Sequence, residues 1–178
     1  MSDNPLFGRI QPPVLNSETQ RMQQAQVVHD FVQTILNLDP NAKVIVLGDL
    51  NDFQFSSTLF TLTGSILDNL TDSLTEEERY TYIYEGNSEA LDHILVSGSL
   101  NGAGPQIDVV HLNAAFLEDE CPTDHDPVLA WFYLPPACPH NHNEDNDVDG
   151  VDLALYANGG VYYDLQIFAG EFGRANCP

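Results

Sequence analysis

The strongest constraint on this chain is a short apolar run that stops abruptly in polar residues. Lys43-Val-Ile-Val-Leu-Gly48 is almost continuously apolar, and Gly48-Asp49-Leu50-Asn51-Asp52 follows at once. That length and β-branched content predict a strand over 43–48, buried on both faces. The polar sequel predicts a tight turn that presents side chains at a sheet edge. Such a strand needs neighbours. Residues 80–85 and 90–97 read as two more strands joined by a turn at Gly86-Asn87-Ser88, and others are expected at 107–112 and 127–133.

The helical signals are fewer. Ser17 with Gln20 three residues later fits a capping box. Beyond it Ala25, Val28, Val32, Ile35 and Leu36 recur at helical spacing, until Asp39-Pro40-Asn41 ends the pattern. Helical residues return near 57–62, while Pro5, Gly8, Pro12 and Pro13 mark residues 1–16 as an extended loop. Strands and helices mix without a regular βαβ rhythm, which favours an α+β layered fold over a doubly wound one.

Pro135-Pro136-Ala137-Cys138-Pro139 reads as a stiff spacer, 135–139, between a domain at 1–134 and a small module at 140–178. Cys138 and Cys177 bracket that module. A disulfide between them would close it, and spacing alone leaves three free thiols, with Cys121, equally open; no zinc pattern is present. The chain carries 27 acidic against 5 basic residues, a formal net charge of −22. A surface this acidic repels nucleic acid unless metal ions bridge it to phosphate. No apolar run reaches the length of a membrane span, and no signal peptide is visible at the start.

Three motifs carry chemistry. In Gly48-Asp49-Leu50-Asn51-Asp52, extended geometry would project Asp49 and Asn51 alike, an acid beside an amide suited to orienting a water or a metal and donating to phosphate. Taken alone it is good turn sequence, and most such turns are only turns. Leu91-Asp92-His93-Ile94 places two ionisable groups in an apolar strand, pointing to opposite faces. Thr123-Asp124-His125-Asp126-Pro127 offers a histidine able to exchange a proton near neutral pH, flanked by acids that can bind a metal or fix its tautomer. His29, His111, His140 and His142 lie outside such contexts and read as incidental.

In this order, the three motifs resemble the endonuclease/exonuclease/phosphatase family, the deoxyribonuclease I-like fold. The resemblance covers about residues 5–134, including Pro5-Leu-Phe-Gly-Arg9, Gln11-Pro-Pro13 and Gln20-Arg21. It implies the C-terminal half of a four-layered α/β sandwich and divalent-metal-dependent phosphodiester hydrolysis, with nucleic acid or another phosphoester as substrate. Carried over by position, His125 would be the general base or the partner of the scissile phosphate, and Asp92 its paired acid. Asp49 would orient the nucleophile, Asn51 would contact phosphate or hold Asp49, and Asp124 would serve the metal, magnesium or manganese. The family's early metal-binding Glu, phosphate-contacting Asn and further His have no counterpart here. Hydrolysis by this chain alone is therefore expected to be weak.

Residues 141–156, Asn141-His-Asn-Glu-Asp145-Asn-Asp-Val148-Asp-Gly-Val-Asp152-Leu-Ala-Leu-Tyr, resemble a dockerin-type calcium loop and its helix. Asn141, Asn143, Asp145 and Asp152 would be its oxygen ligands at loop positions 1, 3, 5 and 12, with Asn146 where glycine is usual. Tyr163-Asp164-Leu165 would be a decayed second repeat. These resemblances imply a secreted, extracellular nuclease with a calcium-dependent attachment module and a possible protein partner. Two alternatives are a non-catalytic calcium-binding association fragment and a phosphatase or lipid phosphoesterase on the same fold.

Overall fold

The computed structural model describes residues 11–117, 119–133, 138, 140–158, 165–175 and 177, with side chains at 165–167 left aside. The described chain divides into two compact units, Met1–Tyr133 and Leu134–Pro178. The loop expected over residues 1–16 lies largely outside the described residues. So do the spacer, apart from Cys138, and Tyr163-Asp164.

The first unit contains α1 (Glu18–Leu38), β1 (Ile45–Asp49), α2 (Ser57–Thr63), β2 (Leu67–Asn69) and a 3-10 turn (Leu70–Ser73). These are followed by β3 (Tyr82–Tyr84), β4 (Asn87–Glu89), β5 (Asp92–Ser97), α3 (Gly98–Asn101), β6 (Gln106–Val109) and β7 (Val128–Trp131). A three-stranded sheet runs in the order β1-β5-β2, and β3-β4 and β6-β7 form two-stranded ribbons. Every ladder is antiparallel. The mixed, non-βαβ architecture follows from that pairing.

The centre of the sheet is β5, not β1. Leu95 packs with Ala25, Val32, Leu59, Leu62 and Leu67 beneath α1 and α2. Ile94 and Val96, on the other face, pack with Leu70 and Leu100 against residues of β6 and β7. β1 was expected to be buried on both faces, and it is not: its alternate residues Ile45 and Leu47 are exposed, Leu47 at 65%. The reason is position. β1 is an edge strand of the sheet, and the helices cover only the side that carries Val44 and Val46. Its apolar run and the run of β5 look alike in sequence, and only the pairing order separates them.

Two local expectations also change. Ser17 has helical backbone angles and makes no capping bond to the helix amides; its hydroxyl instead accepts from the Arg21 guanidinium. The hairpin turn falls one residue early, at Glu85 and Gly86, where both residues have positive φ, 47° and 84°. That is the two-residue connection whose twist suits a hairpin, and it places Asn87 and Ser88 in β4.

The second unit holds α4 (Gly150–Ala157) and α5 (Leu165–Glu171). Cys138 and Cys177 form a disulfide, the pairing that spacing had left open. Closing a loop of 39 residues this way stabilises a small unit by about 2–4 kcal/mol. Val148, Phe168 and Cys177 make its core. His140 is buried there, 2.7 Å from Glu171, so it is a structural histidine and not an incidental one. Among the described residues, no helix is long and apolar enough to cross a membrane.

Candidate active site

Register assembles the site. In the β1-β5 ladder Asp49 lies directly opposite Asp92. Two like charges across a ladder are destabilising, so the pairing needs compensation. Part of it comes from His125, whose Nδ1 lies 2.7 Å from Asp92 Oδ2. Since a carboxylate accepts, Nδ1 carries the proton and Nε2 is left as the basic nitrogen. Oxygen and nitrogen atoms of Asp49, Asp92 and His125 all lie within 4.8 Å of one another.

Asp49 is held by its own turn. Its Oδ1 accepts from the Asn51 backbone amide at 2.8 Å, and its Oδ2 accepts from Asn51 Nδ2 at 3.1 Å. The strand was expected to stay extended through Asn51. Instead Asn51 has φ 51°, a left-handed turn residue, and the two side chains meet through the turn. Asp124 is exposed and stands outside the Asp49-Asp92-His125 group, although its charge acts on His125.

The supporting bonds converge on Thr81, which is fully buried. Its hydroxyl accepts from the amides of Leu91 and Asp92, both at 3.2 Å, and its carbonyl accepts from the Asp126 amide at 2.8 Å. One residue thus ties the backbone beside Asp92 to the backbone beside His125. Tyr82, next in sequence, stacks on the His125 ring with centroids 4.7 Å apart.

Asp126 does not orient His125. Its carboxylate accepts from the amides of Leu112, Asn113 and Ala114 and from His111 Nδ1, at 2.7–3.0 Å. His111 also stacks on Tyr80, so it too is structural and not incidental. His93 was given no role by the sequence. It is 1% exposed; Nε2 donates to the Asp52 carbonyl at 2.9 Å, and Nδ1 faces Asn69 Nδ2 at 3.2 Å. Burial lowers its pKa, against the Asp52 carbonyl and the charges of Asp72, Asp92 and Asp52. A neutral histidine therefore fastens the Asp49–Asp52 turn to β2. Arg21 Nε bonds Asp52 Oδ2 at 3.0 Å and fastens the same turn to α1.

Burial lowers the pKa of His125, but the bond to Asp92 and the charges of Asp92, Asp49 and Asp124 outweigh it, and the net shift is upward. A histidine with a raised folded pKa adds stability fully present below its unfolded value of about 6.5 and lost as pH rises through the folded value. The basic form needed for proton abstraction grows over that same rise. In the metal-free chain, NMR titration of the His125 ring is expected to give a midpoint above about 6.5, moved down by Asp92→Asn. An unmoved midpoint would remove Asp92 as the cause.

In the second unit, Asp145, Asp147 and Asp152 bring carboxylate oxygens within 4.8 Å of one another. Asp145 and Asp152 were expected ligands; Asp147 was missed. Asn143 Nδ2 donates to Asp145 Oδ2 at 2.7 Å, and Asn141 Oδ1 accepts from the Asp145 amide at 3.2 Å. Asp152 is buried, accepting from the amides of His142, Asn143 and Asp149, and with Asp149 it closes a capping box on α4. These amides hold its carboxyl below the usual range despite burial. Local burial and the charges of Asp145, Asp149 and Asp152 push Asp147 up.

Residues 14–121 match the Endonuclease/Exonuclease/phosphatase family, and the chain belongs to that family, a family of hydrolases. The match contains Asp49, Asn51 and Asp92 and ends just before Asp124 and His125. Among solved structures, truncated TDP2 from Caenorhabditis elegans superposes with a TM-score of 0.51 at 19% identity, over 68% of this chain and 51% of that one. Mannosyl-6-phosphatase Bt3783 from Bacteroides thetaiotaomicron gives 0.48 at 17% identity, over 68% and 48%. The first of these likenesses supports the fold alone, and the chain spans about half the length of the solved structures it matches. No curated protein matches the sequence.

Proposed function

We propose that this chain carries the general-base side of a divalent-metal-dependent phosphodiester hydrolase, a nuclease by substrate class, built on half of a four-layered sandwich. The observation that carries the reading is the His125–Asp92 pair at 2.7 Å, set beside Asp49 in strand register. Asp92 fixes the proton on Nδ1, so Nε2 is the atom that takes a proton from water. Asp49, pinned by Asn51, orients that water or the phosphate.

The donors suit a hard ion. Asp49 and Asp92 supply carboxylate oxygens opposite one another, a repulsion that a cation would relieve, and Asp124 adds charge nearby. The carboxylates of Asp49 and Asp92 would hold magnesium or manganese, with His125 Nε2 kept for proton transfer. When bound, the ion would neutralise phosphate charge.

Manganese titrated into the chain tests this, read as paramagnetic broadening of NMR signals. Broadening should centre on Asp49, Asp92 and His125 and weaken in Asp49→Asn. Broadening confined to the acidic second unit would sink the reading. Slow magnesium-dependent hydrolysis by residues 1–178 alone is consistent with the missing Glu and Asn.

A second element rests on its own observation. We infer that the second unit binds calcium through Asn141, Asn143, Asp145 and Asp152, with Asp147 beside them. Asn146, at the loop position where glycine is usual, has φ 72°, a conformation asparagine tolerates. The module would attach a secreted protein to a protein partner. Calorimetry on the full chain with millimolar calcium is expected to show binding heat that Asp145→Ala removes. Absence of heat would reduce this unit to an acidic, disulfide-closed segment.

A further inference from the structure

Beside the Asp49–Asn51 turn lies a cavity of about 380 Å³, within the range of small-molecule sites. Asn51 and Tyr82 both line it, so it adjoins the turn and the ring stacked on His125. The β3-β4 register builds one wall. Tyr82 lies directly opposite Glu89, and Tyr84 is two residues on, so all three share a face. Phe53 and Phe55 build another, their rings parallel within 2° and 5.2 Å apart.

The polar groups of this cavity are not alike. Arg21 and Asp52 satisfy each other at 3.0 Å. Glu89 is 8% exposed, lines the cavity, and among the described residues its carboxylate has no hydrogen-bond or ionic partner. Burial alone holds its carboxyl above the ordinary range. The carboxyl oxygens face the cavity without a donor from the described residues, free to accept from a ligand. The flat aromatic walls specify a flat ligand; the acceptor specifies N–H groups on its edge.

We propose that this cavity is a specificity subsite for a planar nitrogen heterocycle with N–H donors, a nucleobase, placed next to the reacting phosphate. The assignment rests on the hydrolase reading for its purpose, though not for its binding. Stacking on Phe53, Phe55, Tyr82 or Tyr84 holds the ring, and Glu89 accepts from its edge. The chain's charge of −22 fits this division, because a neutral base adds affinity where the protein otherwise repels a polyanion.

The test uses nucleosides, which carry no phosphate, on the full chain. Guanosine and cytidine are expected to bind at least about tenfold more tightly than ribose, since base stacking alone is worth roughly 5- to 150-fold. Glu89→Gln, isosteric and uncharged, should weaken guanosine about tenfold or more. Phe55→Ala, at a half-exposed position, should weaken both nucleosides, so the outcome does not depend on one variant folding. Equal binding of ribose and guanosine, or nucleoside affinities unmoved by both substitutions, overturns the proposal. Failure here with manganese still broadening His125 refutes the subsite alone. Nucleoside binding without metal at Asp49 and Asp92 leaves the subsite standing and refutes the hydrolase reading.

Discussion

Replacing His125 by alanine is expected to lower phosphodiester hydrolysis by about 10²- to 10⁴-fold, the range that a positioned general base contributes. The measurement belongs in a form of the protein that also supplies the Glu and Asn absent from this sequence, where the starting rate is high enough to fall. Asp92→Asn should lose much of the same factor. It preserves shape but removes the acceptor that keeps the proton on Nδ1, and the neutral ring can then present the wrong nitrogen. The double variant should be little slower than His125→Ala, because the two groups act as one unit. Multiplicative losses would mean that Asp92 works separately from His125, for instance wholly through a metal. Unchanged hydrolysis in His125→Ala would dismiss the histidine and move attention to Asp49.

The site was legible because its three motifs sit at strand ends, and a strand end is a local property. An apolar run that stops at Gly48-Asp49, and an Asp-His inside another run, announce both the elements and the polar groups they present. What could not be read is pairing. β1 and β5 have similar sequences, and the one buried on both faces is decided by which lies centrally, a long-range outcome. His93 shows the same limit. Its neighbour Asp92 could be assigned from motif order, whereas the partners of His93, Asp52 and Asn69, come from two other elements. Ser17 illustrates the weakness of local rules in the other direction, since Arg21 captured the hydroxyl that the capping pattern assigned to the helix amides. Asp147 stands at loop position 7, which in the usual pattern ligates through its backbone carbonyl, so spacing gives its side chain no role. The carboxylate cluster is instead a matter of where the folded loop brings its acids.

Asp126, beside His125, should matter more for stability than for chemistry. Asp126 is 2% exposed, and its carboxylate answers three consecutive backbone amides and His111. Asp126→Ala would leave those donors facing a space with no acceptor, each a buried polar group without compensation. The expected loss is about 3–5 kcal/mol, as when one member of a buried charged pair is removed. Burial tends to raise the Asp126 pKa, but the His111 bond and the three amides outweigh it, and the carboxyl sits below its ordinary value. For an acid depressed in the folded state, the stabilisation is present above its unfolded pKa, about 3.9, and is lost as pH falls through the lower folded value. Wild-type chain should therefore lose stability in acid along a curve that Asp126→Asn flattens. Urea unfolding from neutral pH down to about pH 3 measures both effects. A variant as stable as wild type at neutral pH would show that the amides of residues 112–114 find other acceptors, and that Thr81 and Asn113 suffice to brace the loop carrying His125.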